Sequence, residues 1–288
     1  MNPSNHQHKH AVALLLRQFA LRQIDLALDY VTNPAYDTDI AIHEMRRCLK
    51  RLRALLRLAQ EVVGETIYDR DNRYLRRLGQ RLAALRDVSA MQQTLLTLQK
   101  NAAATLTDKT WKRIKQELQG RQQAQREKKA LTIVATKLSL ARSRIANWPL
   151  ELADNTTLQK AMRKSYRRGR RAMKEALAQP QAENLHEWRK QVNHLRHQVQ
   201  ILQTLKIVVL KKTLKASRAL AQTLGLHHDL AVLSQRLSQF KTAGRETELN
   251  KLVQLVQAEQ ASAQTKAAKL GHQLYRTSSK AFLQALPL

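Results

Sequence analysis

Apolar positions recur at helical spacing along almost the whole chain, in stretches of roughly 15 to 35 residues. Leu, Ala, Gln, Arg and Lys dominate these stretches, and all five are good helix formers. β-branched residues are sparse, and the 288 residues include seven glycines and five prolines, so few positions interrupt regular structure. The pattern therefore predicts an all-α protein.

Turn signals between the apolar stretches predict where the helices end. They lie at Asn33-Pro34, near Gly64, near Gly79, at Asn147-Trp148-Pro149, at Gln179-Pro180, at Gly225 and at Gly244. The Trp148-Pro149 break is close to the middle of the chain. It predicts a boundary between a first helical unit, residues 1–148, and a second unit, residues 149–288.

One helix-length segment occurs twice. His43–Arg53 returns as His186–Arg196, and both copies begin with His-Glu. Further along, Arg73, Arg76 and Gln80 align with Lys215, Arg218 and Gln222, and Arg86-Asp87 aligns with His228-Asp229. The chain therefore reads as a duplication, with the His-Glu segment on the second helix of each half. We expect two four-helix bundles related by a pseudo-two-fold axis.

The repeated segment places cations on one helical face and apolar side chains on the other. At about 100° per residue, the cations of the first copy fall within roughly 120° of arc and extend about 20 Å. These residues are His43, Arg46, Arg47, Lys50, Arg53 and Arg57, opposite Met45, Leu49, Leu52 and Leu56. The second copy has His186, Arg189, Lys190, Asn193, Arg196 and His197, opposite Trp188, Val192, Leu195 and Val199. We expect the apolar faces to enter the core.

Further sets of cations are also spaced to lie on one face of a helix. Arg163, Arg167, Arg170 and Lys174 form one on the helix before His186, and Arg73, Arg76, Lys215 and Arg218 give shorter versions in the third helix of each half. A solvated helix usually interleaves Glu with Lys, because such pairs stabilise it by a few tenths of a kcal/mol. These stripes are almost free of acid, so neighbouring cations repel. Their recurrence favours an anion-binding surface over a solvated face.

The overall charge also indicates an anionic partner. The chain has 51 Lys and Arg against 22 Asp and Glu, a formal charge of +29. Self-repulsion on this scale destabilises a compact fold. Arginine favours phosphate, because its planar fork matches phosphate oxygens. A nearby polyanion would raise histidine pKa values, so histidine contacts should strengthen as pH falls.

The remaining composition narrows the class of protein. One cysteine, Cys48, excludes an internal disulfide framework and fits a reducing compartment. No apolar run approaches the roughly 20 residues of a membrane span, and no signal-like apolar region precedes Arg17, so the cytoplasm is expected. The sequence shows no Gly-rich phosphate loop, nucleophile motif or metal-ligand cluster. We therefore expect a binding protein with no catalytic residues, cofactor or metal.

Two alternatives compete with this hypothesis. Nonspecific binding of DNA or RNA is the stronger, because phosphate attraction needs no sequence readout. Against it, three Trp, six Tyr and three Phe offer few stacking platforms for single strands. A histidine phosphotransfer domain is less favoured, since such domains typically pair an exposed His with a following Lys-Gly. Here Arg or Lys crowds both His43 and His186.

At the repeated segment the chain resembles the conserved-histidine α-helical domain (CHAD) family. The shared motif is His-x-x-Arg-(Arg/Lys)-x-x-x-x-Leu-Arg, present at His43–Arg53 and His186–Arg196. Leu85-Arg86-Asp87, His228-Asp229 and Tyr166-Arg167-Arg168 add to the resemblance. It covers essentially the whole chain. No Glu-x-Glu-x-Lys run of an attached triphosphate hydrolase is present, so we expect a stand-alone module.

The resemblance implies two four-helix bundles around a basic central groove that binds inorganic polyphosphate. It places the binding residues at His43, Arg46, Arg47, Lys50 and Arg53, and at His186, Arg189, Lys190 and Arg196. Localisation to polyphosphate granules would follow from that ligand. The chain departs from the family pattern at Asn193, where a cation is expected, and at His228, which replaces the arginine matching Arg86.

Overall fold

Every regular element in the described part of the chain is an α-helix, which confirms the all-α prediction. The structure is a computed structural model that describes residues 3–101, 107–118, 123–239 and 246–286. The helices are α1 (Pro3–Thr32), α2 (Thr38–Leu58), α3 (Gln60–Val63), α4 (Glu65–Arg81), α5 (Ala83–Asn101), α6 (Asp108–Leu118), α7 (Gln123–Leu140), α8 (Arg142–Ala146), α9 (Asn155–Ala178), α10 (Ala182–Thr204), α11 (Lys211–Leu237), α12 (Glu246–Leu274) and α13 (Ser279–Gln284).

Most of the predicted breaks are confirmed. Helices end at or beside Asn33, Asn147 and Gln179, and Gly64 separates α3 from α4 with a φ of +78° that favours glycine. The break predicted at Gly225 is wrong, because α11 continues through it. Its apolar face is uninterrupted on both sides of the glycine, which outweighs the roughly 1 kcal/mol propensity cost of glycine in a helix.

The other two glycines predicted to mark breaks have different outcomes. Gly79 lies within α4, two residues before its end at Arg81, so the predicted break is close to the observed one. Gly244 lies outside the described residues.

Two aspartates fix where the helices of the cation stripes begin. The Asp37 carboxylate accepts a hydrogen bond from the Ile40 amide (2.8 Å) at the start of α2, and the Asp154 carboxylate accepts one from the Thr157 amide (2.8 Å) at the start of α9. Such side chains satisfy amide groups that have no partner in the first turn, at a gain of about 1 kcal/mol each.

The two helices that carry the His-Glu segments, α2 and α10, pack against each other. Helix α1 packs on α2, and α9 packs on α10. Helix α4 lies against α2, α11 lies against α10, and α5 and α12 both contact α11. The His-Glu segment therefore lies on the second helix after each predicted start, as expected.

The core crosses the predicted boundary between residues 148 and 149. The larger core contains buried residues of α1 and α2 together with residues of α9, α10 and α11. A smaller core joins α5 and α6 to α11 and α12. The two predicted units therefore share their interior and form one folded body, and the pseudo-two-fold relation between them stays a prediction.

The apolar faces of α2 and α10 enter the core, as the sequence predicts. Met45, Leu49, Leu52 and Leu56 are at most 1% exposed, and Trp188, Val192, Leu195 and Val199 are fully buried. Burying each side chain of this size contributes about 1.5–3 kcal/mol. These residues hold the cation stripes in position.

Cys48 lies on α2 between the core and the cation stripe. Its side chain is buried and forms no disulfide, as expected for a single cysteine. Burial raises the pKa of the thiol to about 11, so the thiol is protonated at neutral pH and unreactive in the folded protein.

Asp71 is a buried carboxylate that connects α4 to the segment around α8. It is fully buried and accepts hydrogen bonds from Trp148 Nε1 (2.7 Å), Arg144 Nε (2.9 Å) and Arg70 Nε (3.0 Å). Burial alone would raise the pKa of Asp71. The hydrogen bonds from Arg70 and Trp148 and the charge of Arg144 outweigh burial, and the pKa is lowered. The carboxylate therefore stays ionised in the interior.

We predict that Asp71→Ala lowers the free energy of unfolding by about 3 kcal/mol, because it leaves the buried Trp148 indole and two guanidinium groups without their acceptor. Because the folded-state pKa is lowered, this stabilisation is present above the ordinary carboxyl pKa and is lost as pH falls through the folded-state value. Urea unfolding at pH 7 and at pH 3 would measure both effects.

The control is Asp69→Ala, because Asp69 is exposed on the same helix and should change stability by less than about 0.5 kcal/mol. Equal loss of stability in the two variants would contradict the role of Asp71.

Candidate anion-binding groove

A groove runs between α2 and α10 and is bordered by α4 and α11. It consists of two adjoining cavities of about 510 and 520 Å³, which share lining residues on both helices. We call this pair of cavities the central groove. The predicted site residues that line it are His43, Arg46, Arg47, Lys50, Arg53, Arg57, Arg76, His186, Arg189, Lys190, Arg196, His197 and His228. The structure thus brings the cations of both repeated segments to one place.

Hydrogen bonds to α4 orient the cations of α2. Arg46 Nη1 donates to the Gly79 carbonyl (3.1 Å), and Arg53 Nε donates to Asn72 Oδ1 (2.9 Å). A guanidinium has five N–H donors in a fixed fork, so one hydrogen bond to α4 occupies a small part of its capacity. Both arginines line the groove, where their forks can also contact an anion.

The acids that follow the two histidines bind cations on their own helices. Glu44 pairs with Arg47 (2.5 Å) in α2, and Glu187 pairs with Lys190 in α10. Among the described residues that line the central groove, Asp229 of α11 is the one carboxylate. Its Oδ1 atom lies 4.0 Å from Nη1 of Arg189. The groove is therefore strongly cationic, with little acid to offset the charge.

Two imidazoles meet at the α10–α11 side of the groove. The rings of His186 and His228 have centroids 5.3 Å apart. Burial, followed by the charges of Arg189 and Lys190, lowers the pKa of His186, although Glu187 opposes the shift. Burial, Arg189 and His186 lower the pKa of His228 to about 4. Both rings are therefore neutral at pH 7 in the unliganded groove.

Two more histidines lie at the inner wall of the groove. His194 and His197 line it, and the Nδ1 atom of each is buried without a hydrogen-bond partner among the described residues. Burial lowers both pKa values well below the ordinary range. Nearby Arg57 and Arg53 lower that of His194 further, and Arg196 and Lys50 do so for His197. These imidazoles add hydrogen-bonding groups without adding charge.

The arginines of the groove repel one another. Burial lowers the pKa of Arg53, Arg57 and Arg196, with Arg196 reduced to about 10. Neighbouring guanidinium groups lower these pKa values further: Arg47 and Arg218 act on Arg196, and Arg57 acts on Arg53. All three remain protonated at neutral pH. Keeping these guanidinium groups charged costs free energy, and an anion in the groove would offset the part of that cost that comes from their mutual repulsion.

Sequence reasoning missed several polar residues at the groove. Asn72, Gln191 and His194 all line it. His194 lies one turn after Lys190 and Asn72 one turn before Arg76, so helical spacing from a predicted cation could have found both. Arg168 of α9 does not line the groove and was also missed. Its charge contributes to the lowered pKa values of the groove residues Arg57 and His194, after burial and other groups.

Some predicted site residues lie elsewhere. Arg73 is exposed on α4 and does not line the groove, and the side chain of Arg86 lies outside the described residues. Lys215 and Arg218 line a smaller neighbouring cavity of about 430 Å³ on α11, which shares Gln222 with the groove. This cavity extends the cationic surface along α11.

The structure does not bring the predicted stripe on α9 to the groove. Arg163 and Arg167 are exposed, while Arg170 and Lys174 line a separate cavity against α12. The reason is helical geometry, because Arg170 is about 160° away around the helix axis from Arg168, the residue of α9 whose charge acts on Arg57 and His194 of the groove.

Metal sites and membrane spans are both absent from the described ranges. Among these residues, no group of three or more His, Cys, Asp or Glu is placed to hold a metal ion. None of the helices in the same ranges is long and apolar enough to cross a membrane.

Comparison with solved structures finds the same fold in a plant protein. The crystal structure of the CHAD domain from Ricinus communis aligns with a TM-score of 0.57 and 22% sequence identity. The alignment covers 97% of this chain and 92% of that chain, so the fold is shared along almost the full length. A search of curated proteins finds no match to this chain.

The family comparison covers a continuous part of the chain that includes both His-Glu helices. The model of the CHAD domain matches residues 13–238, from α1 to just past the end of α11. This range contains every described residue of the central groove. The match extends over more than half of the sequence, and the chain therefore belongs to the CHAD domain family.

Proposed function

We propose that the protein binds inorganic polyphosphate in the central groove. The observation that carries the proposal is the convergence of cations from both His-Glu helices on one groove, where Asp229 is the single carboxylate among the described lining residues. A linear chain of phosphates would place one negative group after another along this surface. Each contact between a guanidinium or ammonium group and phosphate is charge-assisted and therefore stronger than a neutral hydrogen bond.

The lining of the groove favours a phosphate polymer over nucleic acid. No Trp, Tyr or Phe is among the described residues that line it, whereas single strands usually stack their bases on such rings. Polyphosphate has no bases to accommodate. Membership of the CHAD family, which is associated with polyphosphate, supports the same ligand. Nonspecific binding of DNA or RNA remains the second candidate, because the groove attracts any phosphate backbone.

The proposed role is binding without catalysis. The described residues that line the groove include no Ser, Thr or Cys. Burial, followed by nearby cations, lowers the pKa values of His186 and His228, and a bound polyanion would oppose the part that the cations cause. A histidine phosphotransfer role is less favoured, because cations crowd both His43 and His186 in the groove. We propose the cytoplasm as the location, with association to polyphosphate granules through the ligand.

A competition titration tests the ligand. Labelled long-chain polyphosphate bound to the protein at physiological salt would be displaced by unlabelled polyphosphate, duplex DNA or single-stranded RNA, matched in phosphate concentration. We expect polyphosphate to displace the label at a concentration at least tenfold lower than either nucleic acid. Equal displacement by all three would contradict selectivity and make nucleic-acid binding the leading function.

We predict that Arg57→Ala with Arg76→Ala weakens polyphosphate binding by about tenfold for each guanidinium group removed, because hydrogen bonds to charged groups contribute roughly 1.5–3 kcal/mol. The slope of log affinity against log salt should fall by about 1 to 2, since fewer counterions are released. Fluorescence titrations at several salt concentrations would measure both quantities.

The matched control is Arg73→Ala with Arg77→Ala. Both residues are exposed on α4, the helix that carries Arg76, and neither lines the groove. The control removes the same charge from the same part of the molecule. If it weakened binding as much as the groove variant does, the general field of the protein would explain binding and the groove would not.

We predict that polyphosphate affinity rises as pH falls from 8 to 5.5. His186 and His228 have lowered pKa values in the free protein, and a bound polyanion raises them, so binding takes up protons below the bound-state pKa values. The groups facing this pair are Arg189, Lys190, Glu187, His227 and Asp229. Titrations across this pH range would measure the effect.

Replacing both imidazoles, His186→Gln with His228→Gln, should flatten the pH dependence. At pH 8 both rings are neutral in the free protein, so the variant should bind within about threefold of the original there. An unchanged pH dependence in the variant would show that other groups take up the protons.

A further inference from the structure

A second group of cations converges on a cavity between α9 and the end of α12. Its volume is about 510 Å³, the same as one half of the central groove. The cations come from two helices that are distant in sequence. The residues that define this α9–α12 cavity are Arg170, Met173 and Lys174 of α9, with His272, Tyr275 and Arg276 at the end of α12.

The cations of the α9–α12 cavity have no acidic partners within the described part of the chain. No carboxylate lines the cavity, and Arg170, Lys174 and Arg276 form no ion pair among the described residues. On the same helix, by contrast, Arg171 forms an ion pair with Glu175 (2.7 Å), four residues later. The absence of such pairs in the cavity leaves its positive charge available to a ligand.

Close packing of α12 on α9 creates this convergence. Tyr275 is 2% exposed, and its hydroxyl lies so near Gly169 that a Cβ at that position would be 2.2 Å from the oxygen. Glycine is therefore required for α12 to approach α9 this closely. The approach brings His272 and Arg276, on either side of Tyr275, to the face of α9 that carries Arg170 and Lys174.

The α9–α12 cavity is separate from the central groove. The charge of Arg168 acts on Arg57 and His194 of the groove, and Arg170 and Lys174 are about 160° and 120° away from Arg168 around the axis of α9. The two sets of lining residues have no member in common. A ligand in one site would therefore leave the residues of the other accessible.

We propose that the α9–α12 cavity binds a short run of linked phosphate groups. Arg170 and Lys174 are one turn apart, about 6 Å along the helix axis, so their side chains can bind successive groups of a linked phosphate run. Arg276, just after the end of α12, closes the site. The volume lies within the range of small-molecule sites. A triphosphate group has this chemistry, whether in an inorganic oligophosphate or in a nucleoside triphosphate.

The Met173 methyl group provides a local measurement, since Met173 lines the cavity and is one of five methionines in the chain. The protein would carry ¹³C-methyl methionine and the groove substitutions Arg57→Ala and Arg76→Ala, with the Met173 signal assigned through Met173→Leu. Tripolyphosphate and ATP would be added separately. We expect a saturable shift of the Met173 signal with tripolyphosphate, with ATP or with both, and the comparison identifies the source of the phosphates.

The site variant Arg170→Gln, Lys174→Gln and Arg276→Gln should weaken this binding at least tenfold. The matched control is Lys160→Gln, Arg163→Gln and Arg167→Gln, three exposed cations of α9 that do not line the cavity, and it should retain the affinity. All variants replace surface charges, and circular dichroism would verify their folding. A Met173 signal that does not move with either ligand, or that moves equally in the site variant, would overturn the proposal.

The proposed site does not depend on the function of the central groove. Loss of long-chain polyphosphate binding in the groove variant, with the Met173 response retained, would establish two independent sites. If the Met173 signal responds in the original protein but no longer in the groove variant, the methyl group reports on binding in the groove. That result would overturn the second site while leaving the groove proposal intact.

Discussion

The packing of α2 and α10 into one apolar core is the constraint on which the groove depends. Each buried side chain of Leu or Val size contributes about 1.5–3 kcal/mol, whereas two cations roughly 4 Å apart near a protein surface repel by up to about 4 kcal/mol. Several such side chains per helix, from Met45 to Leu56 and from Trp188 to Val199, are needed to hold the opposing stripes together. The core thus overcomes a repulsion that the groove itself creates.

This balance explains the titration behaviour of the groove. Burial, and after it repulsion between neighbouring cations, lowers the pKa values of the groove arginines Arg53, Arg57 and Arg196 and of the two histidines His186 and His228. A polyanion in the groove would oppose the part of each shift that comes from repulsion. Binding and stability are therefore linked, because a ligand that binds the folded state alone also stabilises it.

Local sequence patterns were sufficient to predict most of the helices and the two main cation stripes, on α2 and α10. The helical period of the apolar residues predicted which faces of α2 and α10 are buried, and the repeat predicted that both carry the same site. The patterns failed where tertiary packing decides. Helix α11 continues through Gly225, and the stripe on α9 does not reach the groove, because Arg170 and Lys174 line a separate cavity against α12. No spacing rule within one helix shows which neighbour each face will meet.

The single cysteine makes the opening of α2 an observable event. Cys48 is buried next to the cation stripe of α2, with the charges of Arg47 and Arg51 acting on it, and its thiol can react with a reagent in solution only when this helix leaves the core. Its rate of modification therefore measures the free energy of local opening at the helix that forms one wall of the groove. The natural sequence thus carries its own chemical probe of that motion, with no second thiol to confuse the signal.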